Sequence, residues 1–374
     1  MKILIIVPTY SPNADGVQKV TQYQAEGLAR RGHQVTVLTS FLHKNLSEHE
    51  EINNVSVRRI NAYNQNMFFV GDRKGFHTFV QNESKIIDVL ICVCVESFSS
   101  AWILPIIKNI SCRKILYNHG MHKFSWSDFN LVSFKEITKK FLRDIRWGGH
   151  YSLNWNRYQR FDGVCFLHEK DDAYIFFEKH KYKGNKTIIF NAADDVFFDD
   201  NVRKRKQIIN VGTFNSRKNQ KLALEVYYEA NLKDYSLVLV GTPSNNYYEE
   251  LIEYNNSLKH QYGDRNVTIF CDISRDKTVD LIRQSSIYLQ TSSWEAFPVS
   301  IVEALSSGAA FVSTNVGIVK DFPGGIVCQT KNELIQSLID ITNNLDTYMK
   351  EAKEYALRHF RQADQISKLE SFIS

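Results

Sequence analysis

Short apolar runs alternate along the chain with amphipathic segments, and this alternation predicts an α/β protein. Residues 2–7 read as a strand, a loop ending at Gly16 follows, residues 17–31 have helical spacing, and residues 33–38 read as a second strand. A strand, a glycine-containing loop, a helix and a strand in close succession are typical of a parallel βαβ unit. Further apolar runs extend this unit into a domain of Rossmann type, at residues 55–60, 89–95, 114–117 and 163–167.

The same order of elements begins again in the second half of the chain. Residues 207–211 read as a strand, 212–219 as a loop and 220–230 as a helix. Further strands are predicted at residues 236–240, 267–270, 287–289 and 310–313. We therefore predict two Rossmann-like α/β/α domains, residues 1–190 and 207–354, joined by the polar linker 191–206.

The last part of the chain is predicted to return to the first domain. Residues 345–372 have helical spacing and predict one long helix, of which the part from residue 355 to 374 crosses back. Two α/β domains of this kind bind ligands at the carboxyl ends of their strands. We therefore expect the two domains to face each other across a cleft that holds the ligand.

The composition is that of an ordinary globular protein. Of the 374 residues, 43% are hydrophobic and 23% charged, which excludes a disordered, collagen-like or coiled-coil chain. The 46 Lys and Arg against 41 Asp and Glu give a formal charge of +5, which is too mild for a dedicated nucleic-acid binder. Most of the six cysteines lie within apolar runs, which indicates buried thiols in a reducing compartment and neither a disulfide framework nor a zinc site. No apolar run is long enough to span a bilayer, and residues 3–7 are too few for a signal peptide, so we expect a cytoplasmic protein.

The most informative segment is residues 291–308, which pass from a strand through a loop of small residues into a helix. Pro298 stands at the first helical position, which proline favours, and Gly308 ends the helix. Glu295 therefore lies in the loop before the helix, and Glu303 lies in its second turn. A helix N-terminus suits a phosphate. We expect the two carboxylates, in turn, to accept hydrogen bonds from hydroxyl groups such as those of a sugar or a ribose.

This segment resembles the signature of the retaining GT-B glycosyltransferases of family 4, in which seven residues separate two glutamates. Glu295 and Glu303 have that spacing, with Phe297-Pro298 between them and Ala304 directly after Glu303. Weaker motifs resemble the family in the same order along nearly the whole chain: Arg31-Gly32-His33, Asn118-His119-Gly120, Asn191-Ala192-Ala193-Asp194, and Gly212 with Lys218. The resemblance implies a GT-B fold.

The resemblance also implies which residues bind a nucleotide-sugar donor. Glu303 would bind the ribose hydroxyls and Glu295 the hydroxyls of the transferred sugar. The backbone of Phe297, Pro298 and Val299 would meet the diphosphate and the sugar.

The remaining residues that the resemblance implies would handle the diphosphate and the sugar from other loops. Lys218 would neutralise the leaving diphosphate with Arg217 beside it, since this chain has Thr213 where the family often has an arginine. Gly212 begins the same loop. Gly16 would let the backbone approach the diphosphate from the first domain, and His119 would lie near the donor sugar.

The implied activity is retaining transfer of a hexose from a nucleotide-diphosphate sugar to a glycan or a lipid-linked acceptor, as in cell-surface polysaccharide biosynthesis. No cofactor besides the donor is expected. The Asp-x-Asp motif, with which metal-dependent transferases of the other common fold hold a divalent ion, does not occur in the chain. Attack by the acceptor on the face of the leaving group and double displacement both remain open.

Two other interpretations of the chain remain. A catalytically inactive protein of GT-B fold could bind a glycan or a partner transferase, although intact Glu295, Glu303 and Lys218 argue against this. A nucleotide-sugar epimerase of similar architecture fits the spacing of the two glutamates poorly.

The segment from Phe134 to Arg160 carries the whole net charge, because it contains seven basic and two acidic residues. An apolar stripe of Phe134, Ile137, Phe141, Leu142 and Ile145 has helical spacing within it. Two interpretations are open. A basic amphipathic helix could contact an anionic membrane, at the inner face of the cell membrane. An ordinary domain helix would instead pack this stripe on the core.

Overall fold

The computed structural model describes residues 1–12, 15–41, 45–65, 68–124 and 134–374, the side chains of 134–136 excepted. The chain divides into two compact units, residues 1–190 with 365–374 and residues 191–364. The segment 191–206, predicted as a linker, is counted with the second unit. Each unit has parallel strands alternating with helices, which confirms the predicted α/β class.

The elements of the first unit follow the predicted order. Its strands are β1 (Lys2–Ile6), β2 (Gln34–Ser40), β3 (His49–Ile52), β4 (Val55–Ile60), β5 (Ala62–Gln65), β6 (Phe68–Gly71), β7 (Val89–Val93), β8 (Arg113–Tyr117), β9 (Gly163–Phe166) and β10 (Asn185–Ile188). Its helices before residue 190 are α1 (Gly16–Arg30), α2 (Arg73–Glu83), α3 (Phe98–Ile103), α4 (Phe134–Tyr158) and α5 (Asp172–Lys179), with a 3₁₀ turn at Ile107–Asn109.

Within the described residues, the main sheet of the first unit has eight strands in the order β10-β9-β8-β7-β1-β2-β4-β3. Only β3 runs antiparallel to its neighbour, and β5 and β6 form a separate hairpin. Ile3 of β1 pairs with Val35 on one side and with Val89 on the other. Residues 3 to 6 are at most 2% exposed, as expected for a central parallel strand covered on both faces. The strand order reverses at β1, so the carboxyl ends of β1 and β7 form a switch point, where doubly wound sheets bind ligands.

Local signals explain where α1 begins and ends. The Asp15 carboxylate accepts a hydrogen bond from the backbone N–H of Gln18 (2.8 Å) and caps the helix. Gly32 follows the helix with a φ of +86°, a conformation that glycine adopts without strain. The Asp-Gly pair in the first loop is therefore a helix start.

The second unit repeats the architecture. Its strands are β11 (Arg205–Val211), β12 (Ser236–Gly241), β13 (Val267–Cys271), β14 (Ser285–Gln290), β15 (Ala310–Thr314) and β16 (Gly325–Cys328). Its helices are α6 (Gln220–Ala230), α7 (Asn246–Tyr262), α8 (Arg275–Gln284), α9 (Val299–Ser306), α10 (Lys331–Asn343) and α11 (Leu345–His359), with 3₁₀ turns at Asp195–Phe198 and Val319–Asp321.

The strands described for the second unit form a six-stranded, wholly parallel sheet in the order β13-β12-β11-β14-β15-β16. Ile208 of β11 pairs with Leu237 of β12 on one side and with Ile287 of β14 on the other. This is the strand order of the Rossmann fold. Its switch point lies between the carboxyl ends of β11 and β14.

The prediction of one long C-terminal helix is wrong. Helix α11 ends at His359, and a separate helix, α12 (Gln362–Ile373), follows. Phe360 between them is fully buried, and Arg361 forms an isolated parallel bridge with Ala193. The chain leaves the helical path there because a buried side chain and a backbone pairing hold these two residues.

The predicted return of the C-terminus to the first domain is confirmed, since residues 365–374 belong to the first unit. The Glu370 carboxylate of α12 lies 2.6 Å from Arg31 and 2.7 Å from His33. A Cβ atom on Gly27 of α1 would lie 2.3 Å from Ile366, so α12 packs closely on α1. The Arg31-Gly32-His33 motif therefore anchors the last helix of the chain.

Helix α4 does not pack the predicted apolar stripe on the core. Its core-facing residues are Trp147, Tyr151 and Tyr158, which are at most 8% exposed. Phe141, Leu142 and Ile145 are 55%, 52% and 57% exposed, so the ordinary-helix interpretation is wrong for these three residues. The side chain of Phe134 lies outside the described residues. Among the helices that the structure describes, none is both long and apolar enough to cross a membrane.

Candidate functional site

The switch point of the second unit brings two predicted segments to one edge of the sheet. The loop after β11 runs from Gly212 to Asn219, and the loop after β14 runs from Thr291 to Pro298. Because β11 and β14 are parallel neighbours, both loops leave the sheet at the same edge. The hydroxyl group of Thr291 donates a hydrogen bond to the Asn219 carbonyl (2.9 Å), which ties the two loops together.

Glu295 and Lys218 form an ion pair between these loops. The Lys218 Nζ atom lies 2.6 Å from Glu295 Oε1, and the two side chains are 16% and 9% exposed. Among the described residues, Oε1 accepts no hydrogen bond. The ammonium group of Lys218 therefore holds this buried oxygen by charge, and the oxygen keeps hydrogen-bonding capacity that no donor among the described residues uses.

Two glycines make room for this ion pair. A Cβ atom on Gly212 would lie 3.1–3.3 Å from three carbons of the Lys218 side chain, so Gly212 lets that side chain cross the loop closely. Gly317 has a φ of +53°, and a Cβ atom there would lie 2.3 Å from the Ala296 carbonyl oxygen. Gly317 therefore supports the backbone beside Glu295. The sequence analysis missed it, although a glycine shortly after a strand is a turn signal.

Glu303 is paired with Arg275, which the sequence analysis did not find. Both guanidinium nitrogens of Arg275 contact the carboxylate, Nη1 at 3.2 Å from Oε2 and Nη2 on Oε1. Glu303 is 7% exposed, whereas Arg275 is 40% exposed. The carboxylate raises the pKa of Arg275 despite the opposing effect of burial. Arg275 is the first residue of α8 after the cap Ser274, and no motif marks it in the sequence.

The start of α9 differs in one respect from the prediction. Val299 is the first helical residue, and Pro298 is the N-cap with extended backbone (φ −70°, ψ 120°). Pro298 has no N–H group, so only Phe297 and Val299 can donate a backbone hydrogen bond there. The side-chain amide of Asn191 donates to the Phe297 carbonyl (2.7 Å), which fixes the residue before the cap.

A buried tyrosine fixes the first turn of α9 to the sheet. The Tyr288 hydroxyl group contacts Ser300 Oγ at 2.7 Å and the Val211 carbonyl at 3.1 Å. Burial raises the pKa of Tyr288. This neutral hydroxyl group joins β14, β11 and α9, so the loops of the site rest on rigid elements.

Arg217 is the partner of neither glutamate in the ion pairs of the described residues. It is exposed, and its guanidinium carbon lies 5.7 Å from the centre of the Trp294 ring. Its carbonyl accepts a hydrogen bond from the backbone N–H of Ser293 (2.8 Å). Among the described contacts of Arg217, the guanidinium group lies against the Trp294 ring in a cation–π interaction and is not paired with a carboxylate.

The two remaining predicted residues, Gly16 and His119, belong to the first unit. Gly16 is the first residue of α1. The His119 ring stacks on Tyr117 with 4.9 Å between ring centres, and its Nε2 atom is buried without a hydrogen-bond partner among the described residues. Burial lowers the pKa of His119 to about 3, so the ring is neutral at physiological pH.

A polar cluster of the first unit was also missed by the sequence analysis. Glu96 follows β7, and its Oε1 accepts hydrogen bonds from the Tyr151 hydroxyl (2.5 Å) and the His122 backbone N–H (2.6 Å). Burial raises the pKa of Glu96. The His122 ring in turn contacts the Asp144 carboxylate at 2.6 Å. The cluster joins residues distant in the sequence, and no local motif announces it.

Within the described ranges, no group of three or more His, Cys, Asp or Glu side chains stands where it could hold a metal ion. The cysteines that the structure describes are unpaired. The acidic residues of the second switch point, Glu295 and Glu303, instead have cationic partners.

Comparison with known proteins agrees with this geometry. Residues 194–356 match the protein-family model described as Glycosyl transferases group 1. The chain carries a glycosyl transferases group 1 domain. The matched residues include the pairs of Glu295 with Lys218 and of Glu303 with Arg275, and both loops of the switch point. A comparison with curated proteins finds no match.

Solved structures similar to the whole chain show the GT-B fold. Sucrose-phosphate synthase from Thermosynechococcus elongatus has a TM-score of 0.73 and 16% identity, covering 99% of this chain and 98% of that one. The Anabaena protein HepE, in complex with UDP and glucose, has a TM-score of 0.70 and 15% identity, covering 100% and 99%. A glycosyltransferase from Rickettsia africae has a TM-score of 0.68 and 16% identity, covering 100% and 97%. At these identities the likeness shows the fold alone, and the predicted GT-B fold is confirmed.

Proposed function

We propose that the protein is a retaining glycosyltransferase of family 4, which moves a hexose from a nucleotide-diphosphate sugar to a glycan or a lipid-linked acceptor. The observation that carries the proposal is the presence of two ion-paired glutamates, Glu295 with Lys218 and Glu303 with Arg275, inside the glycosyl transferases group 1 domain. The similar structure of HepE holds UDP and glucose, which supports a nucleotide sugar as the donor.

In this proposal, the second unit binds the donor through charges already present. An ionised carboxylate has about four lone-pair sites, so Glu303 can hold Arg275 and still accept hydrogen bonds from the ribose hydroxyls. Glu295 accepts from the hydroxyls of the sugar in the same way. The diphosphate, with its negative charge, attracts Lys218 from Glu295 and meets the N-terminus of α9.

The reaction follows from where charge develops. The bond between the anomeric carbon and the phosphate oxygen breaks, and the departing diphosphate gains negative charge that Lys218 stabilises as it forms. The acceptor oxygen bonds to the anomeric carbon from the same face, and the acceptor proton passes to the phosphate oxygen that leaves. We favour this path over a covalent sugar on Glu295, because Glu295 lies in a loop that suits it to accept hydrogen bonds from the sugar hydroxyls. No metal ion takes part, since Lys218 supplies the positive charge.

The second candidate is a catalytically inactive protein that binds a glycan or a partner transferase. The two ion pairs also favour this candidate to a degree, because each carboxylate is already neutralised within the protein. A panel of nucleotide sugars separates the two candidates, with donor hydrolysis and thermal stabilisation as readouts. Response to one donor supports the transferase, and no response to any donor supports the inactive protein.

We further propose that α4 contacts an anionic membrane at the inner face of the cell, where lipid-linked acceptors of polysaccharide biosynthesis reside. Phe141, Leu142 and Ile145 are more than half exposed, and Leu153 is 82% exposed. Arg143 is exposed beside them. Apolar side chains flanked by cations complement a surface of anionic lipid.

Vesicle binding tests this contact separately from catalysis. We expect the wild type to sediment with vesicles containing anionic lipid and not with neutral vesicles. The variant Leu142→Asp with Ile145→Asp should lose this binding and keep its activity on a soluble acceptor. Equal sedimentation of the variant and the wild type would refute the membrane contact and leave the proposed transferase intact.

A further inference from the structure

A second polar site lies at the end of α9 that is remote from Glu295. A cavity of about 260 Å³ opens there between the end of α9, α8, α11 and the segment 199–204. Four basic side chains line it, those of Lys204, Arg283, Lys350 and Lys353, against the acidic Asp199 and Asp200. The lining therefore has an excess of two positive charges when all six groups are ionised.

One lysine of this cavity, Lys353, uses all three of its ammonium hydrogens in contacts within the protein. The Lys353 Nζ atom donates to the carbonyls of Ser306 and Phe198 at 3.0 Å each, and it lies 2.7 Å from the Asp200 carboxylate. These three contacts use its three hydrogens. Lys353 therefore closes the C-terminus of α9, where cations are favourable, and offers nothing more to a ligand.

Lys204 is different, because it has no carboxylate partner within ion-pair distance among the described residues. Its Nζ atom donates to the Ser285 carbonyl (2.9 Å) and contacts Ser307 Oγ (3.3 Å), which leaves one N–H group. Burial, followed by the charges of Lys353 and Arg283, lowers the pKa of Lys204 to about 7, and only Asp200 opposes this shift. A buried ammonium without a counterion is costly, and an apolar side chain would cost less there.

Arg283 is a second cation whose hydrogen-bond donors are not all paired among the described residues. Its Nη2 atom donates to the Asp199 carboxylate at 2.5 Å, while its Nε–H group is buried and finds no hydrogen-bond partner in the described part of the chain. The two acidic residues are at the rim, since the side chains of Asp199 and Asp200 are 43% and 83% exposed. Water screens these rim charges more than the inner cations.

We propose that this cavity binds a phosphate group, free or carried by a small metabolite, between Lys204 and Arg283. A dianionic oxyanion has the acceptors that the remaining Lys204 N–H and the Arg283 guanidinium lack, and charge-assisted hydrogen bonds of this kind are the strong ones. The volume is ample for a phosphate with a substituent. Nothing in this inference depends on the transferase activity.

Binding is linked to protonation of Lys204. The bound anion favours the ammonium form, so binding above pH 7 draws a proton from solution, and the affinity falls as the pH rises through 7. Inorganic sulfate is the suitable probe for the pH series, because its charge is fixed there. Lys350 at the rim is 77% exposed, so we expect it to contribute little.

The test is calorimetric titration of the full chain with sulfate at pH 6.5 and 8.5. We expect the affinity of the wild type to fall roughly tenfold or more between these values. Lys204→Met should lose binding at pH 6.5, by roughly tenfold or more, and Arg283→Gln provides a second variant should the first fold poorly. Lys204→Arg should keep binding and lose its pH dependence, because arginine stays charged.

Two controls locate the binding. Lys218→Ala should bind sulfate as the wild type does, which excludes the loops at the other end of α9, and the exposed Lys233→Met controls for charge. Undiminished binding in a folded Lys204→Met variant would overturn the proposal, as would loss of binding in Lys218→Ala alone. Inorganic phosphate and a hexose phosphate, compared at pH 7, then distinguish the free ion from a metabolite by their relative affinities.

Discussion

The two switch points of the molecule lie at the carboxyl ends of parallel strands and differ in how their carboxylates are paired. In the second unit, the loops after β11 and β14 hold two glutamates, each paired with a cation. In the first unit, the loop after β1 holds Asp15, which caps α1, and the loop after β7 holds Glu96, which accepts from uncharged donors. The carboxyl ends of parallel strands thus form a similar sheet edge in both units. The side chains at each edge determine which ligands it can bind.

The difference indicates a division of labour between the units. A lysine paired with a carboxylate can exchange that partner for the phosphate of a ligand, which forms charge-assisted hydrogen bonds with it. Groups held neutral by burial, such as the ring of His119, suit uncharged hydroxyl groups. In the proposed transferase, the second unit would therefore bind the diphosphate of the donor and the first unit a neutral part of the acceptor.

The largest expected effect is that of Lys218→Ala on turnover. If Lys218 stabilises the departing diphosphate as proposed, its removal should lower kcat by roughly 10²–10³-fold, with a smaller change in donor KM. Steady-state kinetics with the accepted donor measures this, and Lys233→Ala, an exposed lysine of the same unit, is the matched control. Turnover at the wild-type level in the Lys218 variant would contradict the proposal that the second switch point stabilises the departing diphosphate.

The pH dependence of the free energy of unfolding tests whether His119 of the first unit is held neutral. The pKa of His119 is about 3 in the folded protein and about 6.5 in the unfolded chain, so only the unfolded chain takes up the proton near pH 5. The stability contributed by the neutral ring is complete above pH 6.5 and is lost as the pH falls, by about 2 kcal/mol at pH 5.

Urea unfolding between pH 8 and pH 5 measures this contribution. The variant His119→Asn should have a free energy of unfolding that depends less steeply on pH than that of the wild type. A variant with the same slope would show that His119 is not held neutral, and the contrast between the units would then fail at this residue.

Arg275→Ala should destabilise the second unit by about 1–2 kcal/mol, because it leaves the Glu303 carboxylate buried without its partner. This loss is smaller than that for a fully buried pair, because water screens the charge of Arg275, which is 40% exposed. Thermal melting measures the effect, and Arg275→Lys should restore only part of the stability, as lysine cannot form the two-pronged contact. A melting temperature unchanged in Arg275→Ala would mean that this pair contributes nothing to the site.

The smallest effect is expected for Arg217→Ala. Its contact with the exposed Trp294 is a surface cation–π interaction worth about 0.5–1 kcal/mol, so we expect less than a tenfold change in kcat/KM. A loss as large as that of Lys218→Ala would show that Arg217 acts on the diphosphate directly. The exposed Arg203 of the same unit offers a control substitution.

Much of the fold could be predicted from local patterns, because parallel strands buried on both faces appear as apolar runs between loops. The start of α1 at Asp15-Gly16 and the strand beginning near Gln207 are local features of this kind. The break at Phe360 could not be predicted, because it depends on burial and on the pairing of Arg361 with Ala193. The sequence left two interpretations of α4 open for a related reason, since its aromatic residues compete with its aliphatic ones for the core.

The residues of the candidate site likewise include some that local sequence predicts and some that it does not. Glu295, Glu303 and Lys218 stand in recognisable spacings, whereas Arg275 is brought to Glu303 only by the packing of α8 beside α9. Glu96 likewise meets Tyr151 across 55 residues of sequence. Partners that only the tertiary structure brings together leave no periodic signal in a single sequence.

Donor affinity tests the assignment of the second switch point most directly. Calorimetric titration of the wild type and of Glu303→Ala with the nucleotide sugar that stabilises the wild type best gives the two dissociation constants, and Glu253→Ala serves as an exposed control. We predict that the folded Glu303 variant binds the donor roughly 10–100-fold more weakly, because hydrogen bonds from the ribose to a charged group are lost. Equal affinities of the wild type and a folded Glu303→Ala variant would contradict a nucleotide-sugar site at this switch point.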